Sequence, residues 1–224
     1  MKFKYLGHSS FLVDTGKAQL LFDPFITPNE LAKNIDISTL NPDYILISHG
    51  HEDHLADAEA IAKQSGAVII SNFEIVSWYG AKGIEKGHPM NHGGQWNFDF
   101  GTVKYVQAAH SSTLPDGQSG GNPGGFIITA DNGFTFYFAG DTALMHDMKI
   151  WGEQYKFDVV LLPVGDNFTM GIDDAYLASE FLQCNQVIAM HFDTFPYIKI
   201  NHEKAKQKFS NKKFFLPEIG EEIT

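Results

Sequence analysis

The chain has 224 residues, 43% hydrophobic and 19% charged, with 19 Phe and a formal net charge of −11. That balance excludes a disordered chain and supports a large packed core, in a length suited to one domain spanning residues 1–224. The acidity works against a nucleic-acid partner, since the averaged field repels phosphate.

In chain order, residues 2–6, 10–13 and 18–22 are short β-rich runs separated by Gly7 and by Thr15 and Gly16, which predicts an antiparallel meander. A strand at 44–47, a helix at 57–65 with apolar residues at helical spacing, and a strand at 68–70 follow in α/β order. Residues 88 and 92, both His, fall in what reads as a Gly-rich connector without chemistry of its own. Strands are predicted at 96–100, 103–109, 125–129 and 134–139, the last two flanking the hairpin signal Asn132, Gly133. The remainder alternates again: a strand at 159–162, a helix at 173–182, a strand at 187–190, a helix from His202 and a strand at 214–216. Its basic stretch, 204–213, reads as the solvated face of that helix, with Lys204, Lys206 and Lys208 alternating with Ala205 and Phe209.

Cys184 is the lone cysteine, which excludes an internal disulfide. Met1 leads into a strand-like segment in place of a signal peptide, so a cytoplasmic setting is expected. No apolar run approaches the roughly eighteen residues of a spanning helix, so no membrane insertion is expected. The loop at 111–125 is rich in Gly, Ser and Pro and reads as either a flap over a site or an ordinary exposed loop. It lacks the GxxxxGK[ST] phosphate pattern, and no GxGxxG follows a strand.

The chemistry concentrates in HGHEDH, residues 49–54. His49 follows the apolar run YILIS, His110 follows VKYVQAA, Asp141 follows FTFYFAG and His191 follows VIAM, so four segments place metal-capable side chains at strand ends. Such ends share a rim, where α/β proteins bind ligands. His49 and His51 lie two apart and would diverge by about 200° on a helix, so the run must begin as a loop. His51 and His54 lie three apart, which excludes the HExxH helix of zinc proteases. Three imidazoles and two carboxylates in six residues are costly to bury without a cation. The donors suit Zn²⁺, and also Mn²⁺, Fe²⁺, Co²⁺ or Ni²⁺, and the absence of thiolates argues against a closed structural zinc site.

HGHEDH matches the HxHxDH signature of the metallo-β-lactamase superfamily, and AAHSS, AGDT and MHFDTF resemble its later ligand motifs. LGHSSFL at 6–12, FDPF at 22–25 and NFTMG at 167–171 resemble the branch of small hydrolases that includes L-ascorbate-6-phosphate lactonase and, more distantly, N-acylphosphatidylethanolamine phospholipase D. The resemblance implies an α/β fold, a four-layer αββα sandwich. It further implies two divalent metal ions, with His49, His51 and His110 on one, Asp53, His54 and His191 on the other, and Asp141 bridging. Asp23 would orient a ligand imidazole or the ligand loop.

On this basis a bridging hydroxide is expected to attack a small ester, lactone or related carbonyl substrate, with Asp53 able to accept its proton. His8 reads either as a substrate anchor or proton donor, or as a hydrogen-bonded turn histidine. Thr169 and Thr194 read either as substrate contacts beside His191 or as backbone caps. The rivals are phosphodiester hydrolysis, including nuclease action, on the same metal pair, and a metal-binding protein without turnover. A di-iron oxygen-reducing protein is disfavoured because His51 stands where that branch has Glu. A homo-oligomer is compatible with the sequence.

Overall fold

The computed structural model describes all 224 residues. β1 (Lys2–Gly7), β2 (Ser10–Asp14) and β3 (Gln19–Phe22) form the antiparallel meander that the short alternating runs predict. β4 (Tyr44–Leu46) then pairs parallel to β3. α1 (Glu52–Leu55) and α2 (Ala58–Ser65) lead to β5 (Val68–Asn72), and α3 (Phe73–Ala81) leads to β6 (Gly87–Met90).

The second sheet opens with β7 (Gln95–Phe98), β8 (Gly101–Gln107), β9 (Gly124–Ala130) and β10 (Thr135–Phe138). α4 (Asp147–Gln154), β11 (Val159–Pro163), α5 (Ile172–Phe181), β12 (Gln186–Met190), α6 (His202–Lys208) and β13 (Lys213–Phe215) follow. β14 (Glu222–Ile223) returns to the first sheet beside β1. The orders are β14-β1-β2-β3-β4-β5-β6 and β13-β12-β11-β10-β9-β8-β7.

Phenylalanine holds the sheets together. Phe22 lies 4.7 Å from Phe138 between ring centroids, and Phe3 meets Phe136 edge-on at 5.3 Å. Full burial of a side chain this size stabilises by roughly 1.5–3 kcal/mol. A smaller apolar cluster, including Leu21, Ile45, Ile61, Ile69 and Tyr79, packs α2 and α3 onto the outer face of the first sheet. α4 and α5 cover the second through Met148, Trp151, Ala175 and Ala178. The result is the expected four-layer αββα arrangement.

One element, α3, was not foreseen, and another, β6, differs from expectation. α3 is built from FEIVSWYGA, whose β-branched and aromatic residues mask a helix, and its start is set by Asn72, whose side chain accepts from Ile75 N at 2.9 Å. β6 carries Gly87 and Pro89 yet forms a strand, because it is the sheet edge, where a missing N–H is tolerated. His88 therefore sits in a strand and not a connector, with its ring 5.1 Å from Trp96.

Candidate metal centre

Strand direction assembles the site. β1, β3 and β4 run the same way in the first sheet, as do β8, β10 and β12 in the second. His8, Asp23 and His49 follow the ends of the first three, and His110, Asp141 and His191 follow the second three. Backbone strain accompanies this: His8, Asp23 and His191 all hold positive φ, at 56°, 39° and 54°. Such conformations persist only where surrounding structure enforces them. At His8 and His191 the enforcement is visible, because His191 N donates to His8 O at 2.8 Å.

Asp23 is fully buried and accepts three hydrogen bonds: from Ser48 N at 2.7 Å, from Ser48 Oγ at 2.6 Å and from His54 Nδ1 at 2.7 Å. An ionised carboxylate can only accept, so the Ser48 hydroxyl spends its proton on Asp23 and its oxygen accepts from His49 Nδ1 at 2.9 Å. One carboxylate thereby sets the tautomer of two imidazoles. In their neutral forms, His49 and His54 both turn an Nε2 lone pair into the cleft, and for His54 that form requires a cation to replace its proton.

Two groups of donors result. His49, His51 and His110 form one, and Asp53, His54 and His191, with His8, form the other. A third grouping, of Asp23 with His49 and His54, is already satisfied by the bonds just described. Asp141 stands between the two groups. Its Oδ2 lies 3.5 Å from His110 Nε2, 3.3 Å from His54 Nε2 and 3.0 Å from His191 Nε2. Asp53 Oδ2 lies 3.1 Å from His8 Nε2 and 3.9 Å from Nε2 of both His54 and His191.

The donor set fits divalent metal ions. His54 Nε2, Asp141 Oδ1 and His191 Nδ1 are buried without a hydrogen-bond partner. Each atom left in that state costs about 1–3 kcal/mol. A cation among nitrogen and oxygen donors removes that cost. The electrostatics agree. Burial pushes the His49, His51 and His110 imidazoles down, leaving them neutral and ligand-competent. Burial opposes charge on His54 as well, but Asp141, Asp53 and Asp23 outweigh it and hold its pKa well above the ordinary value. Burial likewise raises Asp141, and His191 and His54 more than reverse this. Positive charge is wanted at the point where these groups meet.

The cluster gathers every expected ligand residue together with His8 and Asp23. Thr194 reaches it, with its Oγ1 3.0 Å from His8 Nδ1. Thr169 instead turns its hydroxyl to Met170 O at 3.3 Å and caps backbone. Sequence reasoning missed Ser48, whose signal was a small hydroxyl directly before the first ligand. It also missed Ser111, whose Oγ lies 3.2 Å from His51 Nε2, and Ser112, which accepts from Gly50 N at 2.9 Å and donates to Gly120 O at 2.9 Å. The 111–125 loop is tied over Gly50 by these bonds, and to α3 by Asp116, which accepts from Trp78 Nε1 at 2.6 Å.

Two stacked sheets under helices, with a His and Asp cluster on their shared rim, are the plan of metallo-β-lactamase-like hydrolases. The chain belongs to that superfamily, and within it to the UPF0173 metal-dependent hydrolases: residues 2–191 match the family model described as beta-lactamase superfamily domain. A UPF0173 metal-dependent hydrolase from Methylacidiphilum infernorum is 55% identical over 225 residues, covering 100% of this chain and 99% of its own. One from Christiangramia forsetii is 53% identical over 226 residues, with 100% and 99% covered. Among solved structures, a metallo hydrolase from the archaeon Ignicoccus hospitalis superposes with a TM-score of 0.90 at 36% identity, covering 99% of this chain and 97% of that one.

Proposed function

We propose that this chain hydrolyses small esters, lactones or related carbonyl compounds at a binuclear centre, with zinc the favoured metal. His49, His51 and His110 would hold one ion, Asp53, His54 and His191 the other, and Asp141 would serve both. The observation that carries the reading is the position of Asp141, whose Oδ2 is within 3.5 Å of imidazole nitrogens from both donor groups. When bound, paired divalent cations make water acidic enough to attack near neutral pH and polarise the bond under attack.

The chain's own residues supply the rest. Asp53 is the open carboxylate of the cluster, its side chain 26% exposed against 3% for Asp141. Burial raises its pKa, but His54 and His8 outweigh this and hold it below the usual carboxylate range, so it is ionised and able to take a proton. His8 is pushed down to about 4, chiefly by burial and by His191. Its neutral ring spans Thr194 and Asp53 and fixes the carboxylate's orientation. Phe25 and Phe195 pack edge-on against that ring at 5.5 and 5.4 Å.

The test is a panel of lactones and aryl esters run beside a bis-aryl phosphodiester and RNA, on zinc-loaded protein. Hydrolysis confined to the carbonyl compounds is expected; turnover of the phosphodiester alone would reject the reading. Asp141→Ala is expected to lower turnover at least about 10²-fold while the circular dichroism spectrum stays that of a folded chain. Retained activity would remove Asp141 from its assigned place.

A further inference from the structure

The segment after β12 turns back on itself immediately beyond His191. Thr194 N donates to Phe192 O at 2.8 Å, which closes a three-residue turn centred on Asp193, whose φ is 61°. Turns this tight with a positive φ are rare and strained. Asp accepts such a backbone more readily than most residues, and here the same residue supplies the bonds that hold it. Asp193 N donates to Ile198 O at 2.8 Å, its Oδ1 accepts from Ile200 N at 3.0 Å, and its Oδ2 meets Nε2 of His202, the first residue of α6, at 2.6 Å. The His202 ring also stands edge-on to Phe192 at 6.1 Å, and Phe192 stacks on Tyr5 of β1.

The Asp193 and His202 side chains are 29% and 47% exposed. Pairs so placed add little to stability. What this one does is fix where the next side chain goes. Thr194 follows the turn and puts its Oγ1 3.0 Å from His8 Nδ1. At the far side of that ring, Nε2 lies 3.1 Å from Asp53 Oδ2. A ring nitrogen facing an ionised carboxylate has to carry the proton, so Nδ1 of the neutral ring is left as the acceptor. Its donor is the Thr194 hydroxyl, whose other outlet, Phe192 O, is more distant at 3.3 Å.

We infer that Asp193 and His202 form a clasp that seats Thr194 against His8, and that Thr194 thereby sets the His8 tautomer that directs Asp53 into the centre. Asp193, Thr194 and His202 are positioning residues that act through His8. The inference rests on the reading of Asp53 as ligand and base, and extends the site to the start of α6.

Two pairs of variants test it. Thr194→Val keeps the shape and removes the hydroxyl, which Thr194→Ser restores. His202→Phe keeps a ring beside Phe192 and removes the N–H, and His202→Gln restores a donor at similar reach. In metal-free protein near neutral pH, two-bond proton–nitrogen correlation spectra report the tautomer, with His8 assigned by its loss in His8→Gln. The Nε2–H form is expected in the unaltered chain, Thr194→Ser and His202→Gln, and a mixture of forms in Thr194→Val and His202→Phe. One form in every protein, a mixture in the unaltered chain, or failure of either conservative variant to restore the Nε2–H form overturns the inference.

Zinc titration against a chromophoric chelator reads the effect at Asp53. Thr194→Val and His202→Phe are expected to weaken one of two zinc equivalents about tenfold and leave the other unchanged, since His49, His51 and His110 lie outside this chain of bonds. Equal loss at both, or loss at neither, overturns it. An unaltered chain that takes up a single equivalent rejects the binuclear reading, and the spectra then decide the clasp. Neither measurement needs turnover, so the expected results in a chain that hydrolyses no ester uphold the clasp and discard only the carbonyl reaction.

Discussion

Asp23 touches no cleft, yet it decides how two imidazoles enter it. Replacing it with Asn keeps the shape but puts N–H donors where Ser48 and His54 also donate, so at least one tautomer is lost. Asp23→Asn is expected to weaken metal binding about 10–100-fold, measured by competition with a chromophoric chelator. Unchanged affinity would mean that the three hydrogen bonds are structural ornament. His8 gives a second outcome. Its pKa falls from the ordinary 6.5 to about 4 on folding. The unfolded chain therefore binds its proton first, so His8 contributes stability that is fully present above about pH 6.5 and is lost as pH falls to about 4. The linkage is on the order of 3 kcal/mol. Urea titrations of metal-free protein from pH 7 to 4 should show this fall, and His8→Gln should flatten it.

The meander, the strand ends and the hairpin at Asn132 and Gly133 were all legible in sequence, because alternation and turn residues are local signals. α3 was not, since its packing against the first sheet overrides the strand-like character of Ile75, Val76 and Trp78. The clustering of metal-capable residues was legible because the four segments that carry them each follow an apolar run. The Ser48 link was not, since it depends on which oxygen meets which nitrogen. At the same scale, Gly152 sits where α4 crosses α5, and a Cβ there would lie 2.1 Å from Phe181 O. Gly152→Ala is expected to cost about 1–3 kcal/mol of stability. Thermal unfolding should move down by roughly 2–4 °C per kcal/mol, while metal content stays the same. An unchanged midpoint would show that the helix pair relaxes freely.

Across the whole molecule, the cluster draws on both sheets: His8, His49, His51, Asp53 and His54 come from the first, and His110, Asp141 and His191 from the second. Ions held there would bind the folded chain and not the unfolded one. Loading at about a thousandfold above the dissociation constant would add about 4 kcal/mol per site. Chelation is therefore expected to lower the unfolding midpoint by several degrees, and two equivalents of zinc should restore it. A midpoint indifferent to chelator would count against metals at this rim. The order of strands has one more consequence. Only residues 91–94 join the last strand of the first sheet to the first strand of the second, while β14 crosses back to pair Ile223 with Phe3. A cut in that turn would leave two pieces, neither with a complete set of donors. The later piece would carry a strand of the earlier one's sheet, so reassociation of the halves and recovery of the centre would be a single event.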